Sequence, residues 1–319
     1  MERILIGICT AKRPRMLLAC LRSLAENTAP SETAVEIAVC DNEAEPNNRE
    51  IVAEFSQNCP FIVHYLHEAR RGIPQARNAI VVKALEVDAD WLAFIDDDET
   101  AQPDWIVSLY EAAKTHGADT VAGPVIRQYP EKMPFWGIKR DPPPYTTIGE
   151  GEVVDMLPTY NALASMRLFR SPPGGMGLRF DVALAFCGGE DTQVGIEAAA
   201  RGARMIWTTK AIVRETMCSS RLTYAHNLRV AYHYGSQQFI LLEMMPDGQR
   251  AKPKVVIRAF LRAINGFIWL PALPILAVLS LAAFKRKALS VGWQLAYASG
   301  TLAGLAGVGS KYYKRVDGY

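Results

Sequence analysis

The chain has 319 residues, half of them hydrophobic, with a formal charge of +2. It is long enough for one large domain or two smaller ones with a full core, and so even a charge gives nucleic acid no general reason to bind. Six scattered cysteines, with no CxxC pair among them, argue against a zinc module or a disulfide framework and for free thiols in a reducing compartment.

Residues 4–9 form an apolar run that predicts a first strand, too short and too strand-like for a signal peptide, so the soluble part is expected in the cytoplasm. A turn at residues 10–14 leads into helical spacing up to Glu26. A second strand over residues 35–40 ends in Asp41-Asn42. A helix at residues 49–56 and a strand at 61–66 follow. Strand and helix thus alternate from the start, the pattern of a parallel sheet with right-handed crossovers. The first turn has neither GxGxxG nor GxxxxGK[ST], which weakens dinucleotide and P-loop readings. Asp41 has two readings: a hydrogen-bond partner for a nucleobase or ribose, or an N-cap or Asx turn.

Arg70, Arg71 and Arg77 flank the start of a helix expected over residues 76–85, an arrangement that suits an anion but equally a solvated basic loop. Residues 91–95 are five apolar residues, read as a strand buried on both faces, followed at once by Asp96, Asp97, Asp98 and Glu99. Open α/β sheets bind ligands at such strand ends. Crowded carboxylates call for a positive partner, and a hard divalent cation carrying phosphates fits; a solvated acidic turn is the plainer reading.

A helix is expected over residues 103–116 and a strand over 120–125. The segment 128–151 is irregular and rich in Pro, Gly and aromatics, among them Tyr129, Phe135, Trp136 and Tyr145. Its rings can stack on sugars or pack the loop down; packing is slightly favoured. A strand at residues 159–163 and a glycine turn at Gly174, Gly175 and Gly177 follow. Gly188-Gly189-Glu190-Asp191 then opens a helix through Ala200, where the acids either cap the helix or face a ligand. Residues 205–207 and 211–213 are the last strand-like pieces.

The last quarter changes character, with basic residues outnumbering acids. Residues 264–284 are apolar for long enough to cross a bilayer, though Pro271 and Pro274 interrupt them. Lys285-Arg286-Lys287 follows, then a second apolar run over 288–309 with Gly300, Gly304 and Gly307 at close-packing intervals. Arg258 and Arg262 precede the first run; Lys311, Lys314 and Arg315 follow the second. Basic flanks stay cytoplasmic, so a shallow or re-entrant hairpin is preferred to a double span, with anionic lipids as partners. The competing reading is two helices packed on the soluble core. The division expected is a catalytic domain at residues 1–235 and a membrane-associated helical region at 236–319.

Taken together, Cys9-Thr10 with Arg13-Pro14, Asp41-Asn42, Ala76-Arg77-Asn78, residues 94–99 and Gly188-Gly189-Glu190-Asp191 resemble the inverting family 2 glycosyltransferases of the GT-A fold, closest to bacterial exopolysaccharide enzymes. The resemblance covers roughly residues 3–235. It implies an α/β, Rossmann-like, mostly parallel central sheet with helices on both faces, plus C-terminal hydrophobic helices. It also assigns roles: Thr10, Arg13, Asp41 and Arg77 to the nucleotide-sugar pocket, Asp96 and Asp97 to the same ligand, with Asp96 on ribose or uracil. Asp98 would hold Mg2+ or Mn2+ on the diphosphate, and Asp191, with Glu190 beside it, would be the catalytic base. The implied reaction is transfer of one sugar from a nucleotide sugar, read as a UDP-sugar, to a polyprenyl-diphosphate-linked saccharide at the cytoplasmic face of the bacterial inner membrane. Relatives often carry a histidine before the glutamate after the last strand; here Arg214 precedes Glu215, and is read as a phosphate contact. The processive QxxRW signature is missing. His233, near Arg229, reads first as structural and second as a phosphate contact. The alternatives are a nucleotidyltransferase on a similar sheet and a non-catalytic, membrane-docked polysaccharide-assembly protein.

Overall fold

The computed structural model describes residues 1–137, 139, 147–245, 248–310 and 312. Tyr145, Lys311, Lys314 and Arg315, singled out above, lie outside them. The strands are β1 (Glu2–Thr10), β2 (Thr33–Asp41), β3 (Ile62–His67), β4 (Trp91–Asp96), β5 (Glu99–Ala101), β6 (Thr120–Ala122), β7 (Val125–Gln128), β8 (Asn161–Ser165), β9 (Met205–Trp207) and β10 (Val213–Thr216). The helices are α1 (Pro14–Ala25), α2 (Arg49–Ser56), α3 (Ile73–Glu86), α4 (Trp105–His116), α5 (Glu190–Ala200), α6 (Tyr224–Met244), α7 (Gly248–Trp269), α8 (Ala272–Leu279) and α9 (Leu281–Leu305).

Seven strands form the main sheet in the order β3-β2-β1-β4-β8-β6-β9. All neighbours run parallel except β8, which opposes both β4 and β6. Alternation in β1 sorts the core. Ile4, Ile6 and Ile8 face the layer of α1 and α4; Leu5 faces that of α3 and α5. Such two-sided burial is what a covered parallel sheet requires. Gly7 lets α3 approach β1, since a Cβ there would stand 2.4 Å from Ile80 Cγ2.

The chain leaves β1 toward β2 and β3, then returns to the other side of β1 as β4. A crevice opens at this reversal, beyond the carboxyl ends of β1 and β4. Register brings the polar strand ends together there: Thr10 pairs with Asp41 and Cys9 with Asp96.

One expected strand divides. Residues 120–125 become β6 in the main sheet and β7 in a second sheet, β5-β10-β7. The break falls at Gly123-Pro124. A Cβ at Gly123 would meet the Ala211 carbonyl oxygen at 2.3 Å. The buried Asn161 side chain pins the break, donating to the carbonyls of Pro124 (3.0 Å) and Ala211 (2.8 Å) and accepting from Trp105 Nε1 (2.8 Å). The expected strand at 211–213 begins instead at Val213 and continues to Thr216.

The second apolar run is the long helix α9, laid along α6. Cβ atoms at Gly235, Gly300 and Gly304 would strike backbone oxygens of Tyr297, Tyr232 and Ser236 at 2.1, 2.0 and 2.5 Å, so the two helices meet backbone to backbone. Gly307 instead ends the helix region at φ 75°. α6 runs unbroken across residue 235. Among the described residues no single helix is long and apolar enough to cross a membrane; α7 and α8 together pass that test but are bent by 54°.

Candidate active site

A cleft of about 980 Å³ occupies the crevice. Asp96, Asp97 and Asp98 line it from the end of β4. Thr10 and Arg13 line it from the end of β1, Arg77 from α3, and Glu190 and Asp191 from the start of α5. Asp98 and Asp191, the expected metal holder and base, therefore open into one cavity. Trp136, His226, His233, Leu289 and Trp293 continue the wall onto α6 and α9.

The acids are not a solvated turn. Asp97, Asp98 and Glu99 are buried, and each has a definite partner. Asp97 accepts from Thr10 Oγ1 (2.8 Å) and from Arg13 Nη1 (2.9 Å). Asp98 Oδ2 is shared by Arg13 Nη1 (3.0 Å) and Arg221 Nη2 (2.7 Å). Glu99 opens β5 and accepts from the Asp96 amide at 3.0 Å. Burial, with the neighbouring carboxylates Asp96 and Asp98, pushes the Glu99 carboxyl well above its ordinary value. Burial likewise pushes Asp97 up to about 6 against the pull of Arg13. Asp96 rises to about 7 through burial and its like-charged neighbours, although Arg77 opposes the shift. Its side chain is 42% exposed and lines the cleft, so water there offsets part of that shift.

Arg77 joins the two acidic clusters. Its guanidinium donates to Glu190 Oε1 and lies 3.8 Å from Asp96 Oδ1. Gly188 and Gly189 both take positive φ, 67° and 92°, and that turn swings Glu190 inward at the head of α5. Burial raises the Glu190 carboxyl, with Arg77 opposing. Asp191 Oδ1 accepts from the Thr192 amide at 2.7 Å.

Other expected residues stand elsewhere. Asp41 is fully buried behind the cleft wall. Its Oδ2 accepts from the Asn48 amide (2.8 Å) and Tyr65 hydroxyl (2.9 Å), while its Oδ1 has no partner among the described residues. Arg214 is not among the cleft residues; alternation along β10 turns Glu215 inward instead. The guanidinium that reaches the acids is Arg221, from a short turn before α6, and it also pairs with Glu215 (3.0 Å), which Arg127 holds from the far side (3.2 Å). Neither Arg221 nor Arg127 belongs to a motif, and no local pattern marks them. His233 is 2% exposed and stacked on Tyr312 at 4.7 Å, with burial lowering it to about 4; it is a neutral wall residue.

Among the described residues no three metal-ligating side chains converge. The donor chemistry nevertheless suits a hard cation, since Mg2+ and Mn2+ are commonly held by one or two carboxylates together with substrate phosphates. Asp98 and Asp96 offer that much.

A parallel sheet with its topological reversal over clustered carboxylates, one antiparallel strand inserted and a small side sheet carrying an acid, is the GT-A glycosyltransferase architecture. The chain matches the glycosyl transferase family 2 domain over residues 5–172 and belongs to that family. It is 32% identical over 245 residues to the succinoglycan biosynthesis protein ExoM of Rhizobium meliloti (strain 1021), covering 77% of each chain. Its fold is similar to the mannosyltransferase PcManGT from Pyrobaculum calidifontis, solved with GDP-Man and Mn2+ (TM-score 0.61, 16% identity, 95% of this chain and 86% of that one). It is also similar to GalNAc-T7 solved with UDP, GalNAc and Mn2+ (TM-score 0.55, 16% identity, 75% of this chain), of which it spans about half, 51%.

Proposed function

We propose that this glycosyltransferase moves a single sugar, with inversion, from a UDP-sugar to a lipid-linked saccharide in the assembly of a bacterial exopolysaccharide or other surface polysaccharide. The observation that carries the reading is the shared cleft, with Asp98 on one wall and Asp191 on another. Thr10, Arg13, Asp96 and Asp97 form the donor end. Asp41, buried behind the wall, supports that end only indirectly, by holding the Asn48 amide and the Tyr65 hydroxyl. The relationship to ExoM supports the polysaccharide context, and the GDP-Man of PcManGT and the UDP of GalNAc-T7, each with Mn2+, support a nucleotide-sugar donor.

Asp98, with Asp96, would hold Mg2+ or Mn2+, which as a Lewis acid meets the charge growing on the departing diphosphate. Arg13 and Arg221 add cationic donors on the same wall. Asp191 takes the proton of the acceptor hydroxyl. It suits this better than Glu190, whose carboxylate is engaged by Arg77. Glu190 and Arg77 instead fix the start of α5 and so the place of Asp191. A base across the sugar from the leaving group gives in-line displacement and inversion.

The acceptor enters over α6 and α9, where Trp136 packs against Tyr224 (4.8 Å) and Phe284 (6.0 Å) and offers a flat ring at the cleft edge. Beyond it, α7 and α8 expose Phe260, Leu261, Phe267, Ile268, Ile275 and Val278. An apolar surface of that extent marks an interaction site. Lys285, Arg286 and Lys287 follow it. We assign this bent pair to the cytoplasmic leaflet of the inner membrane, as a shallow or re-entrant hairpin beside anionic lipids. The region 236–319, expected to associate with the membrane, thus does so through α7 and α8 while its α9 also walls the cleft.

The test is calorimetry of UDP with Mn2+ and then with chelator, followed by a screen of nucleotide sugars against membrane lipid extract. Equal UDP affinity in both conditions removes the metal role. No transfer from any nucleotide sugar refutes the reaction. Protease cleavage near Lys285 only from the periplasmic face overturns the hairpin.

A further inference from the structure

The guanidinium of Arg221 occupies Asp98 Oδ2, an oxygen of the carboxylate proposed above to hold the cation. Asp98 Oδ2 is bridged by Arg13 at 3.0 Å and Arg221 at 2.7 Å. Arg221 is itself fixed by Glu215, and Glu215 by Arg127. The result is one ion-pair chain, Asp97–Arg13–Asp98–Arg221–Glu215–Arg127, with three carboxylates and three guanidiniums. Its members are largely withdrawn from solvent: the Arg221 side chain is 20% exposed and that of Asp98 6%. Within this chain the charges cancel, and a cation that takes Asp98 Oδ2 must first displace two charge-assisted hydrogen bonds.

We propose that Arg221 is a positioning residue that couples the divalent cation to the nucleoside diphosphate, by holding Asp98 while the cleft is empty and turning to the phosphates once the cation takes Asp98. This deepens, and rests on, the nucleotide-sugar reading above. When cation and diphosphate arrive together, the displaced guanidiniums acquire phosphate oxygens as partners, and Arg suits such planar, bidentate recognition. Cation alone leaves Arg13 with Asp97 and Arg221 with Glu215 but takes Asp98 from both; diphosphate alone finds them already engaged. Each ligand must therefore raise the affinity of the other by the same factor.

The experiment titrates the full chain with MnCl2, with and without UDP, and reads free Mn2+ by electron paramagnetic resonance. In the parent protein UDP is expected to tighten Mn2+ binding by about tenfold or more. Arg221→Gln should tighten Mn2+ alone by about tenfold while shrinking the UDP effect to about threefold or less. Arg127→Gln, which removes an equal charge without touching Asp98, should change Mn2+ affinity by less than about threefold. Arg221→Lys keeps the charge but cannot bridge Asp98 and Glu215 with one fork, so it too should bind Mn2+ alone more tightly than the parent. This second substitution decides the matter if the glutamine variant does not fold. The inference is overturned if neither Arg221 variant binds Mn2+ alone more tightly than the parent, or if Arg127→Gln does so equally. Absence of UDP binding in every protein would instead strike the donor assignment, and the metal-alone comparison would still decide the role of Arg221.

Discussion

Replacing Arg77 by Met should be among the most damaging single changes near the cleft, and its cost should be electrostatic. Arg77 is 9% exposed in its side chain and Glu190 4%. The substitution fills similar space but strands a buried carboxylate, and breaking such a pair typically costs about 3–5 kcal/mol. The second contact, to Asp96 at 3.8 Å, adds little because that side chain is 42% exposed; such pairs contribute less than about 1 kcal/mol. Urea denaturation measures the loss. A double variant, Arg77→Met with Glu190→Gln, removes the stranded charge and should recover most of the stability without restoring donor binding. The sign with pH follows from Glu190, whose folded pKa is raised above 4.5. The folded state holds that proton more tightly than the unfolded chain, so this contribution is full below pH 4.5 and fades as pH rises through the folded value. Without Arg77 the fade should steepen. If the double variant is as unstable as Arg77→Met alone, or if the deficit does not shrink in acid, the cost lies in packing and the electrostatic account is wrong.

Asp191→Asn should lower transfer by about a hundredfold or more while leaving UDP binding nearly intact, the mark of a lost general base; collapse of UDP binding would make Asp191 structural. Asn161→Ala leaves the Trp105 indole N–H and the Ala211 carbonyl without this partner, while the Pro124 carbonyl keeps the Val213 amide, and should cost about 2 kcal/mol or more in urea denaturation. Gly300→Val would drive a side chain into the Tyr232 carbonyl, 2.0 Å from the Cβ, and should lower stability by about 2 kcal/mol or more, read as a fall in melting temperature. His233, lowered to about 4 from 6.5 by burial, contributes stability that is present above pH 6.5 and lost as pH falls toward 4. Comparing the parent with His233→Leu should reveal up to about 3 kcal/mol of that slope.

Apart from β5, the order of strands and helices through α4, the buried strand ahead of the acids and the glycine pair ahead of Glu190 could all be read along the chain. Each is written in nearest-neighbour terms, as alternation, apolar runs and turn residues. The split of residues 120–125 could not, because it follows from contact with Asn161 and Ala211, which come later in the chain. Likewise the second apolar run has the composition of a membrane span, and only its docking on α6 shows that its glycines serve a helix seam.

The amino-acid sequence by itself determined that carboxylates would stand at the mouth of a parallel sheet, because strand periodicity and the abrupt change from apolar to acidic residues are local. Which cations answer those carboxylates was decided only by the tertiary structure. Glu190 finds Arg77 across 113 residues, and Asp98 finds Arg221 from a turn with no motif. An ion pair depends on which loops converge in space, and a buried carboxylate accepts whichever guanidinium the fold brings within reach.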